Sequence, residues 1–372
     1  MPQEFTVTPW EVKGEVDYDK LVERFGTHII DDALLERIGK HAGGLHFMLR
    51  RKIFYSHRDL GWILDEYEKG REFVLYTGRG PSGDTHLGHL MPWIFTKHLQ
   101  DAFNAKLIFQ LTDDEKFLFN ESLSLDDTRR YAYENALDVI ALGFDPGKTE
   151  IFLDTEYISR LYRTALKVAK RVTFSTAKAV FGFSNSTNIG SIFFTSIQSV
   201  PAFLESERQG KEVPCLIPCA IDQDAHFRVT RDVAPALGYP KPALIHCKFF
   251  PSLGGGDKMS ASRVESSIFT TDEPEAAEKK IMNAFTGGRA TIKEQREQGG
   301  RPERCSIYQY YYYVFEEDDA EVAELSRKCR AGEILCGECK KVLAQRVKAF
   351  LVRHQRRREK ARDRLDEFII RG

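Results

Sequence analysis

The chain has 372 residues, 42% of them hydrophobic and 29% charged, enough to bury a substantial core over two or three domains. A formal net charge of −1 excludes a globally basic nucleic-acid binder, though not a local basic patch. No run of about 18 apolar residues occurs, so no membrane-spanning helix is expected, and the opening MPQEFTVTPWEVKGE has neither the basic flank nor the apolar stretch of a secretory signal. Seven cysteines, an odd number thinly spread, read as reduced thiols of a cytoplasmic protein.

Residues 1–70 read as an N-terminal extension. Within it, DDALLERIGKHAGG is predicted as a short helix with acids at its start and glycine after its end, and SHRDLGWILDEYEKG as another, with Ser56 as N-cap, Asp59 in the first turn and Gly70 at the stop. From residue 71 to 263 strands and helices alternate. EFVLYTG is a buried strand followed by a helix from His86 to about Phe103. KLIFQLTDDE is a second strand ending in carboxylates, and SLDDTRRYAYENALDVIALGF a helix opened by Ser124 with Asp127 three residues on. TEIFLD, VPCLIPCAIDQD and KPALIHCKFF supply three more strands. This alternation predicts an α/β fold with a Rossmann-like parallel sheet, its ligand at the carboxyl ends of the strands, near Asp113, Asp114, Glu115, Asp222, Gln223 and Asp224. From 264 to 372 strands disappear and a separate, all-helical domain is expected.

The stretch YTGRGPSGDTHLGHL, Tyr76 to Leu90, fits G-x-G-x-x-G through Gly78, Gly80 and Gly83. As a dinucleotide turn it is weak: Pro81 interrupts it, and no acid closes the second strand until Asp113, about 30 residues after Gly83, where about 20 is expected. A plain strand-to-helix turn is the alternative. His86 and His89, i and i+3, project to one side of a helix and have no second ligand pair nearby in sequence for zinc. At a helix N-terminus they suit an anion, because an imidazole donates a hydrogen bond whether neutral or charged. GFDPGKT, Gly143 to Thr149, is one residue short of a P-loop and follows a helix instead of a strand, so it reads as a turn. CGEC, Cys336 to Cys339, is a lone C-x-x-C without a partner pair and reads as helix residues, with no metal site expected. GGGDKMSAS, Gly254 to Ser262, places Lys258, Ser260 and Ser262 behind a mobile glycine loop, as a device to follow departing negative charge. Lys340 to Gly372 holds twelve Lys/Arg and four Asp/Glu, a local surplus suited to a phosphate backbone or to a solvated helix face.

A strand, a glycine turn and H-L-G-H at the start of an α/β region, with K-M-S-A-S at its end, resembles the class I aminoacyl-tRNA synthetases and their two signature motifs. Within that class the likeness is to the tryptophanyl branch of eukaryotic type, on YTGRGPSG…HLGHL, QLTDDEK, CLIPCAIDQDAHFRVTRDVA, KMSAS, DYDKLVERFG and FYSHRDL. It runs from about residue 17 to 262 and more loosely through the helical tail.

The resemblance implies ATP, entering with Mg2+, L-tryptophan and tRNA(Trp) as substrates, a homodimer, and an anticodon-binding role for the helical region. It places His86 and His89 at the α-phosphate and bridging oxygen, and Lys258 and Ser260 at the leaving pyrophosphate. Arg79, Gly80, Gly88 and Met259 belong to the ATP site: Arg79 for phosphate or carboxylate, Gly80 for close backbone approach, Gly88 for room beside the adenosine. The second lysine of the family signature is replaced by Ala261, and Lys116 is expected to supply that charge. Tyr76 and Gln110 are implied to meet the indole N–H, Phe194 to lie along the indole, and Glu115, Gln198 and Gln223 to take the ammonium and carboxylate. The rivals are a tyrosyl relative, which needs an acidic partner for a phenol and has none matched at Gln110, an NAD-linked oxidoreductase, and a non-catalytic RNA-binding relative.

Overall fold

The computed structural model describes residues 5–8, 12–14, 16–256, 258–260 and 263–372. Its centre is a seven-stranded sheet made of β1 (His28–Ile29), β2 (Phe54–Arg58), β3 (Val74–Arg79), β4 (Lys106–Leu111), β5 (Thr149–Leu153), β6 (Cys215–Ala220) and β7 (Ala243–Cys247), in the order β1-β2-β7-β6-β3-β4-β5. The five strands from β3 to β7 are mutually parallel, whereas β2 pairs antiparallel with β7 and with β1. The central strands read as apolar runs because both of their faces are covered. Alternation splits them between two cores: Leu75, Leu107, Phe109 and Ile151 pack on one face, Val74, Tyr76, Ile108 and Phe152 on the other. Tyr76 pairs with Ile108 and Gly78 with Gln110, so Tyr76 and Gln110 are diagonal neighbours on the second face.

The helices that matter for the site are α1 (Asp32–Ala42), α2 (Leu60–Glu68), α3 (Leu87–Phe103), α4 (Asp113–Phe119), α5 (Leu125–Ala141), α6 (Asp154–Ala169), α7 (Ile189–Ile197) and α8 (Asp224–Leu237). The capping signals of α1 and α5 are present as expected: Asp31 accepts from the Leu34 N–H at 2.9 Å, and Ser124 and Asp127 form a reciprocal capping box. The expected cap at Ser56 is not formed. Ser56 lies inside β2, where its hydroxyl meets His246 Nδ1 at 3.1 Å, and α2 begins only after Asp59, whose backbone turns left-handed at φ 52. Pairing of Phe54–Arg58 with β7 outweighs the local capping preference, a non-local pairing that the segment's own sequence does not announce. Asp224, expected beside the ligand, is drawn into the same buried network, accepting from Arg58 Nε at 2.7 Å and lying 3.3 Å from His246 Nε2.

After residue 264 come α9 (Pro274–Met282), α10 (Asp319–Arg330) and the 27-residue α11 (Cys336–Arg362). α11 lies across α9 and α5. At its buried face His354 Nε2 is 2.9 Å from Asp138 Oδ1, and Arg358 reaches Glu134 at 3.0 Å. The chain then returns to the sheet: Ile151 N–H donates to Phe368 O and Ile370 N–H to Ile151 O, both at 2.9 Å, closing the exposed edge of β5. From the N-terminal side Arg51 donates to Tyr312 O, Glu316 O and Asp319. No described helix is long and apolar enough to cross a membrane.

Candidate active site

The carboxyl ends of β3, β4 and β6 open into a cavity of about 960 Å³. Its position follows from the topology, since β3 is the strand from which the chain runs outward to β4 and β5 on one side while β6 and β7 lie on the other. The N-terminus of α3, the first turn of α4, α7, the segment after β6 and the Lys258–Ser260 loop all contribute to the wall.

One end of the cavity is cationic but carries no charge on its imidazoles. His86 caps α3, and the His86 N–H donates to His89 Nδ1 at 3.2 Å, so the proton of a neutral His89 sits on Nε2 and is available to donate. The two rings stack with centroids 3.5 Å apart. Burial lowers His86 to about 3, helped by Arg79 and Lys258, and pushes His89 well below the ordinary histidine range for the same reasons. Both are neutral at neutral pH. Burial lowers Arg79 to about 10, against the pull of Glu115 and Asp138, so the guanidinium stays charged; its Nε and Nη2 are buried without a partner. A buried, unpaired guanidinium edge beside a helix N-terminus is suited to an anionic ligand. Lys258 Nζ rests 3.0 Å from Asp222 Oδ2 and 4.9 Å from the centre of the Phe249 ring. Its loop is pinned by Met259 N–H to Phe250 O at 2.8 Å and by the Ser267 hydroxyl to Ser260 O at 2.8 Å. Ala261 and Ser262 lie outside the described residues.

Three glycines of the two motifs, Gly78, Gly80 and Gly88, serve protein groups. A side chain at Gly78 would stand 2.7 Å from the Gln110 carbonyl oxygen, so glycine lets β3 and β4 close up at the cavity floor. The space beside Gly80 is filled by the ends of Lys116 and Glu115, so this glycine admits Lys116 to the site, where close approach of the nucleotide was expected. At Gly88 a Cβ would be 3.1 Å from the His86 ring, and the bare backbone lets that ring lie against α3.

The other end is a polar relay in an apolar wall. Tyr76 Oη donates to Gln110 Oε1 at 2.5 Å and lies 3.0 Å from Gln198 O, and burial holds this phenol protonated. Gln110 Nε2 in turn donates to both oxygens of Asp154, at 2.8 and 2.9 Å. Both Asp154 oxygens face Nε2 and the Tyr76 hydroxyl faces Oε1, so the amide is set with its oxygen toward Tyr76. Asp154 also shares a hydrogen bond with Asp114; burial and mutual repulsion raise both, and the pair holds one proton between them. Glu115 accepts from Lys116 at 2.7 Å and from Thr112 at 2.6 Å; these partners outweigh burial and keep it ionised. Gln198 and Gln223 line the cavity, and Gln198 Oε1 is buried without a partner. Phe194 does not reach the wall. It is fully buried and packs edge-on against Phe119, which does line the cavity, because Ser191 and Gln198 take the cavity side of α7. Phe227, edge-on to Tyr76 with centroids 5.7 Å apart, supplies an aromatic wall that the sequence did not single out.

The family model described as tRNA synthetases class I (W and Y) matches residues 68–352. The chain belongs to this family. It is 50% identical over 370 residues to the tryptophan–tRNA ligase of Pyrobaculum calidifontis, covering 100% of this chain and 99% of that one. It is 51% identical over 375 residues to the tryptophan–tRNA ligase of Pyrococcus furiosus, covering 100% and 96%. The solved tryptophanyl-tRNA synthetase of Giardia lamblia superposes with a TM-score of 0.89 at 40% identity, over 95% of this chain and 96% of that one.

In a class I synthetase the cavity has a clear division of labour. Neutral donors and an unpaired guanidinium at one end fit a polyphosphate, and an oriented acceptor among aromatic walls at the other fits a side chain with a single buried N–H. Asp154, which holds Gln110, and Asp222, which holds Lys258, have no role that the sequence announces. Asp154 is the first residue after β5, at the carboxyl end of a parallel strand, which is a usable signal.

Proposed function

We propose that this chain activates L-tryptophan with ATP to tryptophanyl-adenylate and transfers the tryptophanyl group to tRNA(Trp), releasing pyrophosphate and then AMP. ATP enters with Mg2+ on its phosphates. The amino-acid carboxylate attacks the α-phosphorus, forming an acyl–phosphate bond and breaking the bond to the bridging oxygen. Charge grows on the α-phosphate and on the pyrophosphate, so most of the catalysis is electrostatic stabilisation of groups already held in place. His86 and His89 donate to the α-phosphate and bridging oxygen without bringing charge of their own. Arg79, Lys258 and Ser260 follow the pyrophosphate, with Lys258 leaving Asp222 to do so. Lys116 stands for the missing second signature lysine, and Gly88 and Met259 border the adenosine. The terminal ribose hydroxyl of tRNA then attacks the acyl carbon and AMP departs.

The observation that carries the choice of tryptophan is the Tyr76–Gln110–Asp154 relay, which presents an oriented acceptor at the buried end of the cavity. An indole N–H satisfies it. Glu115, Gln198 and Gln223 are placed to take the ammonium and carboxylate. For a tyrosine phenol the matching position would be an acid facing the cavity, and here the acid stands one residue behind Gln110. Aminoacylation of tRNA(Trp) by the full chain tests the reading: tryptophan is expected to be attached with stoichiometric AMP, and attachment of tyrosine instead would overturn it.

The helical region 264–372 is assigned to the anticodon end of the tRNA. Arg353, Arg356, Arg357 and Lys360 recur at i, i+3, i+4 and i+7 on the exposed side of α11 and enter no ion pair among the described residues, a basic stripe of the kind that follows phosphates. The chain works as a homodimer in this reading, with the exposed Tyr162 and Leu166, one turn apart on α6, as apolar surface for a second copy to cover.

A further inference from the structure

In the run RHQRRREK on α11, Arg353, Arg356, Arg357 and Lys360 face solvent, while His354 and Arg358 are buried and Gln355 is half-buried. The three inner residues share one turn of helix, at i, i+1 and i+4. Docking of the helix does not account for them, because Leu343, Val347 and Leu351 already seat α11 in the main core. Gln355 Nε2 donates to the carbonyls of Thr270 and Asp272, each at 2.9 Å. Both protons of one amide are thereby spent on a single backbone turn. That turn ends a strap, residues 267–272, which runs from the loop carrying Lys258 and Ser260 to α9.

The strap pairs with the start of α3. Thr270 N–H donates to Thr85 O at 2.8 Å and Leu87 N–H to Ile268 O at 3.0 Å, so His86 and Phe269 form an isolated antiparallel pair. The Thr270 hydroxyl adds a bond to Thr85 O at 3.1 Å and the Thr271 hydroxyl one to Asp84 at 2.7 Å. The His86 ring lies edge-on to Phe269 with centroids 6.0 Å apart. Lys280 closes the turn from α9 through Asp272 and Ser267 O, and Gln355 takes the carbonyls of Thr270 and Asp272. The other side of the glycine turn is reached from the same turn of α11. His354 Nε2 lies 2.9 Å from Asp138 and Arg358 donates to Glu134 O at 3.1 Å, both on α5, whose Asn135 donates to Gly83 O at 3.1 Å. Residues 83–87 are thus held on two sides by one turn of a helix that does not line the cavity.

We propose that Gln355 is a positioning residue for the step at the α-phosphate, setting the backbone of His86 through the strap. The inference rests on the reading of His86 and His89 as phosphate donors. Both imidazoles depend on that backbone, because the His86 N–H also orients His89 through Nδ1. A displacement of about 1 Å at a donor costs about 10²-fold in rate, so a bond well outside the cavity can govern the step. The Tyr76–Gln110–Asp154 relay stands at the other end of the cavity, and the affinity for tryptophan is expected to be independent of the strap.

The test is a double-mutant cycle on the full chain, read as tryptophan-dependent pyrophosphate exchange per active site, with the sites counted by the burst of adenylate. Gln355→Met keeps the shape of the side chain and removes both donors; it is expected to lower the rate about tenfold, with KM for tryptophan unchanged. In a His86→Ala background the same change is expected to cost less than about twofold, because the group it positions is gone. Gln355→Lys is expected to recover most of the loss, since Lys340 on the same helix already bridges two carbonyls, Met282 O and Ala284 O, at 2.8 and 2.7 Å. Should Gln355→Met fail to fold, Gln355→Asn, too short to reach both carbonyls, carries the same cycle with the same non-additivity expected. The proposal is overturned by a native rate per site in Gln355→Met, by equal losses in both backgrounds, or by a loss that Gln355→Lys does not reduce. A native chain that exchanges with no amino acid refutes the activation reading itself, whereas a native chain that exchanges with tryptophan and is matched by Gln355→Met refutes the positioning role alone.

Discussion

The two ends of this molecule handle charge in opposite ways. In the cavity at the sheet, burial strips His86 and His89 of charge, and Lys258, Lys116 and Glu115 are held in pairs. On the exposed side of α11, Arg353, Arg356, Arg357 and Lys360 stand in solvent without ion pairs among the described residues. The first arrangement is preorganised and dry, so each donor is worth more and is aimed at one atom. The second is solvated and diffuse, so each charge is worth little alone and, in the proposed function, would act by displacing counterions along a backbone. In that proposal chemistry and carrier recognition fall to different physics on one chain.

The contrast is sharpest when single donors are removed. His89→Ala and Lys258→Ala are each expected to lower tryptophan-dependent pyrophosphate exchange by about 10²–10³-fold, as for other preorganised donors. Initial-rate exchange assays check this, and a loss below about threefold for both would move the chemistry away from these residues.

Next comes the relay at the amino-acid end. Asp154→Ala frees the Gln110 amide to turn, and discrimination between tryptophan and an analogue with sulfur in place of the indole N–H is expected to fall by about tenfold, the size of a buried hydrogen bond left unmade at roughly 1–3 kcal/mol. Gln110→Ala is expected to lose the same discrimination. If Gln110→Ala loses it and Asp154→Ala does not, the orienting role of Asp154 is wrong.

On the exposed stripe, Arg353→Glu with Arg357→Glu is expected to raise KM for tRNA(Trp) several-fold and to lower the salt slope of binding by about one for each phosphate no longer neutralised, leaving exchange untouched. An equal loss in exchange would tie the stripe to the cavity. The smallest effect is on stability. His86 has its folded pKa lowered to about 3, below an unfolded value of about 6.5, so the unfolded state binds more protons between these limits. Stability is therefore complete above about pH 6.5 and declines as pH falls, by about 1 kcal/mol at one unit below. Urea unfolding at pH 7.5 and 5.5 reads the loss, and His86→Asn should reduce it by about that share, the rest coming from His89, His46, His57 and His226, which burial lowers in the same way.

What the sequence showed depended on how local the signal was. The apolar runs of β3 to β7, the capping box at Ser124 and Asp127, and the histidine pair at the start of α3 all announce themselves within a few residues, and the Rossmann-like α/β fold follows from them. Tyr76, Gln110, Glu115, Gln198 and Gln223 do meet at one cavity. Ser56 misled because its capping pattern is local while its strand pairing with β7 is 190 residues away in the chain. Phe194 misled because a residue can sit in the right helix and still turn its ring into the core. That Cys305 and Cys329 line one small cavity with Cys336 and Cys339 was invisible because they meet only through the packing of three helices.

The most direct measurement is amino-acid-dependent exchange of labelled pyrophosphate into ATP, run with each of the twenty amino acids on the full chain. Exchange is expected with tryptophan alone, lowered by about 10²–10³-fold in His89→Ala and in Lys258→Ala. Exchange with tyrosine would contradict the reading of the Tyr76–Gln110–Asp154 relay, and exchange with no amino acid would leave a synthetase fold without its reaction.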